Sequence, residues 1–158
     1  MEFRVADFER LSFHFKKYQD GLNRIDDVKK TYIDKIEPLK KEMQSIILAA
    51  ESGIVIDQNS EKQRYDKFQA LQQDALSIDK DAKYELSKMK DELTKEVYSD
   101  LESMISEWSI QNNIDIVIGK LEVVYMNSKY EITDDILDIL KSKGLYVDDK
   151  SFSEVDKV

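Results

Sequence analysis

His14 is the only imidazole in 158 residues, and there is no cysteine. Any Ser–His or Cys–His chemistry would therefore have to run through His14. It stands between Phe13 and Phe15 at the start of a long helical pattern, a setting that suits packing or surface polarity better than catalysis. Carboxylates come in adjacent pairs at Asp26-Asp27, Asp134-Asp135 and Asp148-Asp149. Neighbouring helical residues diverge by about 100°, so such pairs do not converge on one cation. None carries the spacing of a calcium loop. The four glycines, Gly21, Gly53, Gly119 and Gly144, are scattered singly, so no loop can cradle a phosphate. These residues predict no enzyme, no metal and no cofactor.

The elements that hold these residues are mostly long helices. Apolar residues recur at Leu11, Phe15, Tyr18, Leu22, Ile25, Val28, Tyr32, Ile36, Leu39, Met43, Ile46 and Ala50, in steps of three and four. This is a coiled-coil seam over several heptads, predicting one helix over 9–50, roughly 60 Å long at 1.5 Å per residue. Pro38 lies within it and predicts a kink near Asp34–Glu37, because proline removes a backbone donor and crowds the preceding turn. The seam stays in phase through Leu39 and Met43, which argues against a chain break. A second seam runs from Phe68 through Leu71, Ala75, Ile78, Ala82, Leu86, Met89, Leu93, Val97, Leu101 and Met104 to Trp108, within a returning helix at 60–112.

Between them, 51–59 reads ESGIVIDQN. Gly53 can end the first helix, and Ser60 with Gln63, or Asn59, can cap the next. Ile54, Val55 and Ile56 are three consecutive β-branched residues at the tip of the hairpin. They either fold back on it or meet a client or partner, and are the candidate contact there. Near the other end, Tyr98 and Trp108 read as packing at the junction with the strands.

The chain is 36% charged with a net charge of −9. No segment is basic, which leaves no electrostatic footprint for nucleic acid or anionic lipid. Its 41% hydrophobic content and fifteen aromatics argue against disorder. The absence of cysteine fits any redox compartment. The N-terminus, MEFRVADFER, lacks the basic and apolar regions of a signal peptide. No apolar window approaches a membrane span, so direct membrane insertion is not expected.

Strand patterns occupy the two ends. Phe3 and Val5 alternate within 2–8, and runs at about 114–118 (Ile114 to Ile118) and 122–127 (Val123, Val124, Tyr125, Met126) flank a turn at Gly119-Lys120. A helix comes next at 133–143, with Thr133 as its cap, Asp134 and Asp135 in its first turn and Gly144 as its stop. The tail at 145–158 has no period and is expected to fray. The reading is one domain, 1–158. Its fold class is α+β, mainly α: a long antiparallel helical hairpin on a small β body made by the N-terminal strand, a C-terminal hairpin at 113–127 and a short terminal helix. Strands this short need partners.

The order of these elements resembles the Skp/OmpH family of holdase chaperones. The resemblance rests most on Ile114-Asp115-Ile116-Val117-Ile118, on Val123-Val124-Tyr125, and on the run Glu131 to Lys141 with its Ile132-Thr133 pair. It implies a homotrimer, with strands of three subunits closing a barrel-like body at Phe3, Val5, Ile116, Ile118, Val124 and Met126. It also implies ATP-independent binding of unfolded clients, typically outer-membrane β-barrel proteins, in a cavity between helical arms. The compartment implied is the periplasm for a trimmed mature form, and otherwise the cytoplasm or a virion. The family's periplasmic chaperones carry a signal peptide and are typically basic, and this chain departs from both patterns. The alternative use of the same fold is a structural or assembly component, a virion protein included, docking a specific partner at Ile54–Ile56.

Overall fold

A computed structural model describes residues 1–148. Six elements succeed one another: β1 (Phe3–Ala6), α1 (Phe8–His14), α2 (Lys16–Glu51), α3 (Gln58–Gln111), β2 (Ile116–Gly119) and α4 (Thr133–Ser142). They pack as two compact units: Met1–Asn23 with the chain from Asp91 onward, called the base, and Arg24–Lys90, called the arm.

In the base, β1 and β2 pair in parallel, with Phe3 opposite Ile116 and Val5 opposite Ile118. Parallel pairing needs a long connection, and the helices supply it. On the other side of β1, Val5 bridges Glu131, and the Ile132 amide donates to the Val5 carbonyl at 2.9 Å. α1 packs on α4. The core gathers Val5, Leu11, Phe15, Val97, Leu101, Ile132, Ile136 and Leu140, each almost fully buried. Gly21 lies against Leu93, where a Cβ would stand 2.3 Å from Leu93 Cδ1, so only glycine permits this approach with Leu93 as placed.

In the arm, α2 continues through Pro38, so the chain does not break there. Leu71 and Ala82 of α3 are its most buried apolar positions. Polar pairs flank the seam: Tyr32 Oη donates to Glu85, and Lys67 pairs with Glu42. The Glu85 carboxylate holds the Tyr32 phenol above its ordinary pKa, chiefly through that hydrogen bond.

Several expectations need correcting. The helix expected over 9–50 is interrupted at Phe15, whose backbone is extended (φ −85°, ψ 117°) and bridges Tyr146 antiparallel. The Lys16 amide donates to the Leu145 carbonyl at 2.7 Å, and the Val147 amide donates to the His14 carbonyl at 2.9 Å. Residues 145–147 are therefore bonded into the base rather than frayed, and 149–158 lie outside the described residues. The expected second strand at 122–127 does not form. After β2 the chain turns through a 3₁₀ turn at Lys120–Glu122, and among the described residues no partner strand lies beside 123–127.

Both cap readings also change. Thr133 is the first residue of α4 rather than its cap; Ile132 holds the cap position, and the Thr133 hydroxyl accepts from the Asp7 amide at 2.9 Å. At the start of α3, Asp57 caps in place of Ser60 or Asn59. Its carboxylate accepts from the Ser60 amide and from the Ser60 hydroxyl, each at 2.9 Å. Those bonds stabilise the charged form and hold Asp57 below the ordinary carboxylate range, the backbone bond from Ser60 being the largest cause.

Candidate interaction surfaces

Of the residues with possible catalytic chemistry, His14, Asp26 and Asp134 make structural contacts, and Asp149 lies outside the described residues. His14 Nδ1 donates to the Val147 carbonyl at 2.9 Å, and its ring stacks on Tyr146 at 5.1 Å. Asp26 pairs with Lys30, and Asp134 with Arg10. Among the described residues no three His, Cys, Asp or Glu side chains group as metal ligands. Tyr98 stacks at 5.2 Å on Phe8 of α1 rather than on a strand and stays partly exposed, and Trp108 is half-buried near the end of α3.

Both units also expose apolar residues: Ile33, Leu48, Leu76 and Tyr84 along the arm, besides groups on the base and at the hairpin tip. On the base, Phe3, Ile116 and Ile118 are partly exposed, Val124 is fully exposed (104%) and Met126 is half-buried. Val5, grouped with them from sequence, is 1% exposed: it lies in the core and is shut off from the surface by its pairing on both sides. Leu121 and Ile110 are also exposed, as is Tyr125, which the strand pattern contains but the oligomerisation set does not. For Tyr125 a period of two suggests the opposite face from Val124; without a partner strand, both are open to solvent.

Polar contacts also run through the base. The Lys120 ammonium stands 3.0 Å from Glu131 and 3.5 Å from Asp7. The hydrogen bond to Glu131 is the main cause raising its pKa. Lys17 reaches Asp100 at 2.8 Å, and that bond likewise raises the Lys17 pKa. Phe3 stacks on Tyr130 at 5.1 Å. β2 has no strand on its outer side among the described residues. An open strand edge beside exposed isoleucines is a pairing surface.

On the arm, the hairpin tip carries Ile54, Val55 and Ile56. Ile56 folds back and is half-buried, whereas Val55 is 95% exposed and Ile54 is also exposed. They border a groove of about 570 Å³, walled by Ile46, Ile47, Tyr65 and Phe68, with Glu61 and Arg64 also lining it.

A helical hairpin joined in sequence to a base of two parallel strands and a short terminal helix defines a coiled-coil protein with a strand-bearing base. The family model described as outer membrane protein (OmpH-like) matches residues 2–140. The chain belongs to the OmpH-like family. Its fold is similar to a crystal structure from Caulobacter crescentus CB15 titled "a putative outer membrane chaperone (OmpH-like)". The TM-score is 0.73 at 13% identity, covering 89% of this chain and 84% of that one. No curated protein matches the chain.

Proposed function

We propose that this protein is a non-catalytic, ATP-independent holdase, which binds unfolded polypeptides among the helical arms of a homotrimer. The observation that carries this is the family match over residues 2–140, on a chain that exposes apolar residues on both units. Exposed apolar groups on an otherwise highly charged chain suit contact with other polypeptides. On the base, Phe3, Ile116, Ile118, Val124 and Met126, joined by Leu121 and Tyr125, would meet neighbouring copies. The open edge of β2 would gain a strand there, and Val5 would support that surface from beneath. Two short parallel strands are marginal alone, which favours this completion by other copies.

Clients would be unfolded β-barrel membrane proteins, met through many weak contacts. Distributed contacts bind through effective concentration and tolerate varied sequences. The test is light scattering of a urea-unfolded β-barrel membrane protein diluted into buffer with increasing amounts of this protein. Suppression that saturates near three chains per client is expected. No suppression at several-fold excess from a folded, helical sample overturns the reading.

A further inference from the structure

The tip groove has a composition of its own. Its walls are aliphatic and aromatic, and it lies entirely within the arm. At about 570 Å³ it falls within the range of sites that take small ligands or a few side chains, about 300–1,000 Å³.

Arg64 distinguishes this groove from a bare apolar cleft. It is half-buried, and it makes no ion pair or side-chain hydrogen bond among the described residues. Lys67, Lys30 and Lys83 of the arm pair with carboxylates, and arm cations that make no ion pair among the described residues, such as Arg24, Lys40, Lys62 and Lys80, are exposed, whereas Arg64 is half-buried against the groove. A guanidinium presents a planar fork of donors that matches a carboxylate. Partial burial beside apolar walls strengthens such a pair relative to open water.

We propose that the tip groove receives a short apolar polypeptide segment bearing a carboxylate, with the side chains in the groove and the carboxylate on Arg64. This rests on the holdase reading for the kind of partner and adds a selective contact to its distributed ones. The partner is an unfolded chain at a place where aliphatic or aromatic residues adjoin an aspartate, a glutamate or the chain's own C-terminus.

The experiment uses the full chain and two fluorescent peptides, Leu-Leu-Ala-Leu-Asp and Leu-Leu-Ala-Leu-Asn, both amidated at the C-terminus, with anisotropy as readout. The aspartate peptide is expected to bind about tenfold tighter. Arg64→Gln should remove that difference, and Arg64→Lys should keep part of it. Methyl NMR of the unsubstituted protein should place the shifts on Ile46, Ile47, Ile54 and Ile56, which tests the site without any variant. Equal binding of the two peptides, a preference that survives Arg64→Gln, or shifts confined to the base would each overturn the proposal. So would equally tight displacement by decanoate, which would assign the groove to a lipid chain. Light scattering with the β-barrel client is run on the same samples. Suppression without peptide discrimination sinks the groove alone, and discrimination without suppression sinks the holdase reading alone.

Discussion

Thr133 shows how one residue can serve two elements. Its hydroxyl accepts from the Asp7 amide at 2.9 Å and donates to Glu131 at 3.1 Å, with the side chain fully buried. Asp7 in turn caps α1 by accepting from the Arg10 amide at 3.0 Å. The start of α4 is thereby tied to the start of α1 through a single oxygen. Thr133→Val keeps the shape and deletes the acceptor, leaving the Asp7 amide without its partner. An unpaired backbone donor costs about 1–3 kcal/mol. Urea unfolding monitored by circular dichroism should show a loss of that size with an unchanged slope. No loss would mean that water replaces the hydroxyl.

At the scale of elements, the approach of α2 to α3 in the base turns on Gly21. The missing side chain admits Leu93, which is itself buried. Gly21→Val forces Leu93 aside, and overpacking of this kind costs about 1–3 kcal/mol. Leu93→Ala alone opens a cavity at a cost of about 2–5 kcal/mol. The double variant should be more stable than the sum of the two losses implies, because the new methyls fill space that leucine has vacated. A double-mutant cycle in urea should give a coupling of about 0.5–3 kcal/mol. Strict additivity would show that the two positions do not share that space.

At the scale of the whole molecule, the question is what covers the base. Val124 and Tyr125 are consecutive apolar residues open to solvent, an exposure that favours a covering partner. If neighbouring copies cover them, Val124→Asp with Tyr125→Asp buries charge at that contact. Sedimentation should then show a trimer for the unsubstituted chain and a monomer for the double variant. Helical content should be retained, since both side chains are solvent-exposed in the protomer. A monomer in both cases would remove the trimer from the proposed mechanism.

The long helices of the hairpin were legible from residue spacing alone, because a seam stepping by three and four marks the buried stripe of a helix whatever it packs against. Gly144 was legible as a stop for a similar reason: it takes the left-handed conformation (φ 69°) that glycine adopts most readily. The tip triplet Ile54–Ile56 stood out by residue type, but its division into an inward Ile56 and an outward Val55 needed coordinates. The break at Phe15 was hidden because Phe15 is in phase with the seam. Pairing with Tyr146, 131 residues away in sequence, breaks the helix there. Asp57, Asn59 and Ser60 can each cap a helix by residue type, and backbone direction chooses Asp57 among them. The strand expected at 122–127 had strand composition but no neighbour to pair with, and a strand exists only by its hydrogen bonds to another. Local periodicity is written in consecutive residues. Contacts that close loops of a hundred residues or more depend on where two distant segments arrive, and only the packed chain settles that.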